Sequence, residues 1–135
     1  MASVNVLLVE DNEADRYLIR HKLATSDLYR VTEAPTLARG IENLDNDNID
    51  VVLLDLGLPD ARGTEGIIRL QQRAIQPPVI VLTGDEEYGT TISTLREGAH
   101  DYITKSDLSN DTVLDAISST LRRAELFDSI AEAAR

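Results

Sequence analysis

The stretch Val51-Val-Leu-Leu-Asp55-Leu-Gly-Leu-Pro59 joins an uninterrupted apolar run to an aspartate and then to a loop containing glycine and proline. Apolar runs without alternation are typical of strands that are covered on both faces of a sheet. Three further runs end beside a residue capable of chemistry: Val4–Val9 before Glu10 and Asp11, Val79–Leu82 before Thr83, and Tyr102–Thr104 before Lys105. If these strands are parallel, the polar groups meet at one edge of the sheet, where open α/β folds bind ligands.

Segments with helical spacing alternate with these strands. Helices are predicted over Ala14–Ala24, Thr36–Leu44, Thr64–Arg73 and Tyr88–Glu97, with a further strand over Tyr29–Glu33 and a last helix from about Asp111. Gly98 suits a left-handed residue after the fourth helix. Right-handed crossovers then favour an α/β fold, a doubly wound three-layer sandwich of five parallel strands in the order 2-1-3-4-5.

Composition limits the classes of function. A chain of 135 residues is long enough for one domain that needs no disulfide or metal to fold. The 24 acidic and 13 basic residues give a net charge of -11, which opposes direct contact with nucleic acid or an anionic membrane. Cysteine is absent, which excludes thiol chemistry, and neither a membrane-spanning run nor a signal-type segment is evident. We therefore expect a soluble, cytoplasmic protein.

The acidic residues at the predicted sheet edge indicate a cation. Glu10, Asp11 and Asp55 would repel one another at close range, and a set of oxygen ligands alone suits Mg²⁺. Thr83 can donate a hydrogen bond to a phosphoryl oxygen, and Lys105 offers a compact positive charge to the same group. The pattern predicts phosphoryl transfer with Asp55 as nucleophile, although strand-end Asp and Thr often serve only as turn formers.

The same residues resemble the receiver domain of two-component response regulators over about Asn5 to Arg122. The resemblance rests on Leu7-Leu-Val-Glu-Asp-Asn12, on Leu54-Asp55 followed by Pro59 and Gly63, on Thr83-Gly84, and on Tyr102-Ile-Thr-Lys105. It implies a flavodoxin-like (βα)5 fold, with a receiver domain over residues 1–122 and an extension of the last helix over residues 123–135.

For chemistry, the resemblance implies that Asp55 takes a phosphoryl group from a sensor histidine kinase or a phosphotransfer protein. Mg²⁺ would be held by Asp11, Asp55 and the backbone carbonyl of Gly57, with Glu10 acting through a water on the metal. Such a domain is a signalling module and not a multi-turnover enzyme, since it catalyses only its own phosphorylation and dephosphorylation.

For signalling, the resemblance implies a switch. Thr83 and Lys105 would bind the phosphoryl group, and the shift of Thr83 would let Tyr102 rotate inward. This rotation would alter the surface formed by the fourth helix, the fifth strand and the fifth helix. In this family the lifetime of the acyl phosphate depends on the residues two after the phosphoacceptor and two after the hydroxyl, here Gly57 and Asp85.

Three positions depart from the family pattern. Ser106 replaces the proline that usually follows the lysine, so the cis peptide expected at Lys105–Ser106 is in doubt. Arg62 replaces an acid, and it either pairs with Asp60 or is solvated. Glu10 stands where Asp is also common, which should preserve metal binding.

Two other readings stay open. A degenerate receiver would act as an interaction module without phosphorylation, but such domains usually lack one of the acids or the lysine. An aspartyl-phosphate hydrolase resembling the haloacid-dehalogenase group also pairs an Asp nucleophile with Mg²⁺, Thr and Lys. That group needs a second acid two residues after the nucleophile, where this chain has Gly57.

The segment after Arg122 continues with helix-favouring residues and no breaker. Its apolar residues form a stripe that the receiver core cannot cover, comprising Leu121, Ala124, Phe127, Ile130, Ala131 and Ala134. We predict that this last helix supports a homodimer, docks on an output-domain partner or serves as a connector.

Overall fold

The computed structural model describes residues 3–73, 77–84 and 93–134. Its main sheet contains five strands: β1 (Val4–Val9), β2 (Tyr29–Ala34), β3 (Val51–Asp55), β4 (Val79–Thr83) and β5 (Asp101–Thr104). All neighbouring strands are parallel, and their order β2-β1-β3-β4-β5 confirms the predicted 2-1-3-4-5 arrangement. Every residue of β3 and β4 is buried, as their uninterrupted apolar sequences predict.

Helices cover both faces of this sheet. The described helices are α1 (Glu13–Leu23), α2 (Leu37–Asn46), α3 (Glu65–Gln71), the helical residues 93–96, labelled α4, and α5 (Thr112–Ala133). The predicted helix over Tyr88–Glu97 lies outside the described residues up to position 92. The doubly wound, flavodoxin-like three-layer fold is therefore confirmed.

Alternate residues of the strands supply two separate cores. Val6 and Leu8 of β1 pack in a cluster that includes Ile19 of α1 and Ile117 of α5. Leu7 and Val9 belong to the opposite cluster, to which α2 and α3 contribute Leu37, Ile67 and Leu70. Each fully buried leucine or isoleucine stabilises the fold by about 1.5–3 kcal/mol. Packing in these two apolar clusters thus fixes the ends of the strands, and with them the positions of the polar residues that follow.

The loop after β3 folds back as a short hairpin, which the sequence did not predict. Gly57–Leu58 pairs in antiparallel fashion with Ala61–Arg62, and the side chains of Leu58 and Ala61 are buried. This burial fixes the position of Asp60 at the hairpin turn. The loop is therefore anchored in the core instead of running freely over the surface.

Gly98 has a φ of 114°, in agreement with the left-handed residue predicted after the fourth helix. A Cβ atom at this position would also clash with Nε2 of Gln71 on α3. Both the backbone conformation and the close approach of Gln71 explain why a glycine occupies the turn before β5.

Helix α5 continues without a break past residue 122 and spans 22 residues. Leu121 packs at the border of the core, whereas Leu126, Phe127 and Ile130 are 61%, 72% and 57% exposed. The predicted stripe thus contacts the core at Leu121 and is exposed at Phe127 and Ile130, and Leu126, which was not part of the prediction, adds to the exposed apolar surface. Among the described helices, none combines the length and apolarity that crossing a membrane requires.

Candidate functional site

The carboxyl ends of β1, β3, β4 and β5 meet at one edge of the sheet because the four strands are parallel. Glu10 follows β1, Asp55 and Thr83 close β3 and β4, and Lys105 follows β5. These ends surround an open cavity of about 770 Å³, whose lining includes Asp11, Asp55, Gly57, Thr83 and Lys105. The sheet thus brings together the catalytic and metal-ligand residues that the sequence predicted.

Three carboxylates form a compact group at this edge. One oxygen from each of Glu10, Asp11 and Asp55 lies within 4.8 Å of the others. Glu10 is fully buried and Asp55 is 5% exposed, whereas Asp11 lies open to solvent. Buried carboxylates at this separation are unfavourable unless a cation or proton offsets their charge.

Lys105 supplies part of that positive charge. Its Nζ lies 3.2 Å from Asp55 Oδ1 and donates a hydrogen bond to Glu10 Oε1 at 3.2 Å. A third carboxylate, Asp15 on α1, is nearer still at 2.9 Å. Burial lowers the pKa of Lys105, but the hydrogen bond to Asp15 and the charges of Asp55 and Glu10 raise it above its usual range. The ammonium is therefore charged throughout the physiological range.

Glu10 remains incompletely neutralised by this lysine. Burial and the charge of Asp55 raise the pKa of Glu10 to about 7. Hydrogen bonds from the Asn12 N–H and from Lys105 lower this pKa but do not outweigh the first two effects. Its Oε2 is buried and accepts no hydrogen bond from the described part of the chain, although the Lys105 ammonium lies 3.2 Å away. A single lysine shared among grouped carboxylates leaves negative charge, which fits a hard divalent cation such as Mg²⁺ that binds oxygen ligands.

Asp15 was missed by the sequence analysis. It lies in the first turn of α1, and its backbone N–H donates to the Asn12 side chain, which caps α1, at 2.9 Å. The available signal was this position in the first turn of the helix that follows β1, which keeps Asp15 near the sheet edge. Position alone did not reveal that Asp15 meets Lys105.

Three further predictions from the sequence concern Tyr102, the Lys105–Ser106 peptide bond and Arg62. Tyr102 is 41% exposed on β5, where it lines a different cavity, of about 520 Å³, between β5 and α5. The Lys105–Ser106 peptide bond is trans. Arg62 is exposed, and Asp60 accepts hydrogen bonds from the backbone N–H groups of Leu37 and Ala38.

The sequence matches the family profile of the response regulator receiver domain over residues 6–118. This chain belongs to the response regulator receiver family. The matched segment contains all four strand ends that build the cavity, so membership agrees with both the fold and the placement of the acidic residues.

Individual relatives support the same assignment. The chain is 45% identical over 101 residues to the KDP operon transcriptional regulatory protein KdpE of Escherichia coli, covering 75% of this chain and 44% of KdpE. It is 31% identical over 122 residues to the cell cycle transcriptional regulator CtrA of Caulobacter vibrioides, covering 90% of this chain and 52% of CtrA. The receiver thus spans about half the length of these curated relatives.

A solved structure shows the same architecture. The CheY-like receiver domain protein of Methanospirillum hungatei superposes with a TM-score of 0.76 at 26% identity, over 92% of this chain and 98% of that protein. The fold of this receiver domain is therefore shared along nearly its whole length with a protein of matching size.

Proposed function

We propose that this receiver domain accepts a phosphoryl group on Asp55 from a histidine kinase or a phosphotransfer protein. The observation that carries the proposal is the position of the Asp55 carboxylate at the end of the central strand. It is 5% exposed, lines the open cavity and lies 3.2 Å from the Lys105 ammonium. A carboxylate that is fixed by its strand but open on one side suits in-line attack on phosphorus.

In the proposed transfer, an oxygen of Asp55 attacks the phosphorus of a phosphohistidine. The new O–P bond forms as the N–P bond breaks, and the electron pair of the broken bond returns to the imidazole of the donor. Lys105 and Thr83 line the same cavity, where they can stabilise the negative charge of the transferred group. Water later attacks the phosphorus of the acyl phosphate, the bond from the Asp55 oxygen to phosphorus breaks, and inorganic phosphate leaves as the Asp55 carboxylate is restored.

Asp11, Asp55 and the backbone carbonyl of Gly57 would hold Mg²⁺, and Glu10 would act through a water on the metal, as the family resemblance implies. The ion would offset the charge that accumulates between the carboxylates and the incoming phosphoryl group. Support for this site comes from the three grouped carboxylate oxygens and from the incomplete neutralisation of Glu10 by Lys105, which leaves the pKa of Glu10 raised to about 7.

The domain would be a signalling module and not a multi-turnover enzyme. Hydrolases of the haloacid-dehalogenase type need a second acid two residues after the nucleophile, and Gly57 occupies that position. A degenerate receiver is disfavoured because Glu10, Asp11, Asp55 and Lys105 are all present at one sheet edge.

The output of this receiver would pass through β5 and α5, with Thr83 and Tyr102 as the switch. Thr83 pairs with Thr104 in the sheet register, two residues from Tyr102, so a movement at the cavity has a short route to the exposed tyrosine. KdpE and CtrA are named transcriptional regulators, and a partner or output domain at the last helices is the corresponding proposal for this chain.

Intact-protein mass spectrometry tests the proposed chemistry. With Mg²⁺ and acetyl phosphate, the wild-type chain should gain one phosphoryl group, and both Asp55→Asn and chelation of the metal should abolish the gain. Asp27→Asn, at an exposed position between α1 and β2, is the matched control and should label normally. Equal labelling of Asp55→Asn and wild type would refute Asp55 as the acceptor.

A further inference from the structure

A closed ring of hydrogen bonds joins Glu10, Asn12, Asp15 and Lys105 beside the proposed phosphoacceptor. The Asn12 N–H donates to Glu10 Oε1 at 3.1 Å, and the Asp15 N–H donates to Asn12 Oδ1 at 2.9 Å. Lys105 Nζ lies 2.9 Å from Asp15 Oδ2 and donates to Glu10 Oε1 at 3.2 Å, which completes the ring. The start of α1 is thereby tied to the end of β5.

Asp15 differs from the other two acidic partners of Lys105. Glu10 and Asp55 belong to the group of oxygens that can hold a metal ion, and Asp15 does not. A cation between those carboxylates would compete with the ammonium for their charge. Asp15 would then remain as the carboxylate partner of the lysine, at the shortest of the three separations.

The surroundings of Asp15 suit a fixed contact. Its side chain is 21% exposed and that of Lys105 is 23% exposed, so water screens the pair only in part. The backbone of Asp15 is held by the Asn12 cap, which limits the movement of the carboxylate. A long lysine side chain loses considerable rotamer freedom when it is ordered, and a strong second contact offsets that cost.

We propose that Asp15 is a positioning residue that keeps the Lys105 ammonium at the cavity when Glu10 and Asp55 are engaged by the metal and the phosphoryl group. This inference rests on the proposed function, since it assigns to Lys105 a role in phosphoryl transfer. Asp15 itself touches neither the nucleophile nor the incoming group, and it acts through the lysine.

Phosphorylation rates provide the first test. At saturating Mg²⁺, Asp15→Ala should be labelled by acetyl phosphate about tenfold more slowly than wild type, as expected for loss of a charge-assisted hydrogen bond. Asp15→Asn keeps an acceptor oxygen and should recover part of the rate. Asp27→Ala removes the same charge at an exposed position between α1 and β2 and should label as wild type does.

A double-mutant cycle separates positioning from a merely structural role. If Asp15 acts through the lysine, Asp15→Ala should cause no further loss of rate in a Lys105→Ala background. A second loss of about tenfold in that background would overturn the proposal, and so would a normal rate in the single Asp15→Ala variant.

Side-chain NMR gives a readout that needs no phosphorylation. The chain contains two lysines, so labelling at the lysine ε-carbon gives one signal for Lys105 and an internal reference from Lys22. With Mg²⁺ and no phosphodonor, wild-type Lys105 should relax as an ordered side chain, whereas in Asp15→Ala it should become mobile and Lys22 should not change. Equal relaxation of Lys105 in both proteins would overturn the proposal. Ordered wild-type Lys105 without any labelling by acetyl phosphate would instead refute the proposed function alone.

Discussion

Asp60 caps helix α2 from a different element, because its Oδ1 accepts a hydrogen bond from the backbone N–H of Leu37 at 2.9 Å. Its Oδ2 accepts from the N–H of Ala38, also at 2.9 Å. Asp60 belongs to the loop that follows Asp55, whereas α2 begins 23 residues earlier in the chain. The loop beside Asp55 is thus bound to the layer of helices below it.

Removal of this cap should destabilise the protein. Asp60→Ala leaves the N–H groups of Leu37 and Ala38 without the carboxylate, and we expect a loss of about 1–2 kcal/mol in the free energy of unfolding. Asp60→Asn is the matched control, since it retains one acceptor oxygen and should lose less. Urea denaturation at neutral pH measures both changes, and equal stability of Asp60→Ala and wild type would contradict the capping role.

The stabilising effect of Asp60 should also depend on pH. Although partial burial acts in the opposite direction, the hydrogen bonds from Leu37 and Ala38 lower the pKa of Asp60 in the folded protein. The unfolded chain therefore takes up its proton first as the pH falls. Asp60 therefore contributes its full stabilisation above the pKa it has in the unfolded chain, and this stabilisation is lost as the pH falls through the lower pKa of the folded protein. The difference in the free energy of unfolding between wild type and Asp60→Ala should shrink in acid.

Lys105 should matter most for stability when Mg²⁺ is absent. Lys105→Met leaves Glu10, Asp15 and Asp55 without their shared ammonium, and unpaired carboxylates of this burial are costly. Allowing for the partial exposure of the lysine, we expect a loss of about 1–3 kcal/mol without metal. Added Mg²⁺ should recover much of the loss, because a ligand of the folded state stabilises that state.

The second lysine of the chain supplies the control for this experiment. Lys22 pairs at 3.3 Å with Asp111, whose side chain is 78% exposed, and Lys22→Met should change stability by less than about 1 kcal/mol. Denaturant titrations of both variants with Mg²⁺ or with a chelator give the comparison. If the two variants lose the same stability without metal, Lys105 does not offset the buried carboxylates.

A histidine at the opposite end of the sheet should make stability fall in mild acid. The Val79 N–H donates to Nδ1 of His100 at 3.1 Å, so this nitrogen is unprotonated in the folded protein. Partial burial and the positive charge of Arg123 lower the pKa of His100 below its ordinary value of 6.5. The unfolded state binds the proton more readily, and stability should therefore decrease as the pH falls through about 6.5.

Substitution of His100 separates its effect on the pH dependence of stability from the effects of other titrating groups. His100→Asn retains an acceptor for the Val79 N–H but does not titrate, so its stability should fall less than that of wild type between pH 7.5 and 5.5, a range of about one unit on either side of the ordinary histidine pKa. His21→Asn measures what the other histidine contributes. Parallel pH profiles for wild type and His100→Asn would show that His100 is not responsible.

The sequence predicted the strands, their order and the residues at their ends, because these follow from the pattern of apolar residues along the chain. The uninterrupted apolar run before Asp55 requires a central parallel strand, and strand order then brings Glu10, Thr83 and Lys105 to the same edge. Side chains that reach across elements were not predictable in this way. Arg62 is near enough in sequence to be a partner of Asp60, yet the Asp60 carboxylate accepts its hydrogen bond from the Leu37 N–H.

Substitution at Gly57 should lengthen the lifetime of the acyl phosphate. A Cβ atom at this position would lie 3.6 Å from Oδ2 of Asp55, which is an ordinary contact, so a side chain fits beside the proposed phosphoacceptor. Gly57→Met should shield the phosphoryl group from water and slow hydrolysis several-fold, and Gly57→Ala should have a smaller effect. Mass spectrometry after removal of acetyl phosphate measures the decay. Faster decay of Gly57→Met than of wild type would contradict shielding. The other predicted determinant, Asp85, lies outside the described residues.

The exposed part of α5 should promote association. Leu126, Phe127 and Ile130 are each more than half exposed, and burial of such side chains stabilises an interface by about 1.5–3 kcal/mol each. We expect the full chain to sediment as a dimer at high concentration and a chain ending at Arg122 to remain monomeric. Phe127→Ser in the full chain is the matched test, because it reduces the apolar surface without shortening the helix.

Beryllofluoride, a mimic of the phosphoryl group, should shift the monomer–dimer equilibrium of the full chain if Asp55 and Tyr102 communicate with α5. Sedimentation of every sample as the same monomer would exclude self-association and leave the helix as a connector or as a binding surface for a different protein.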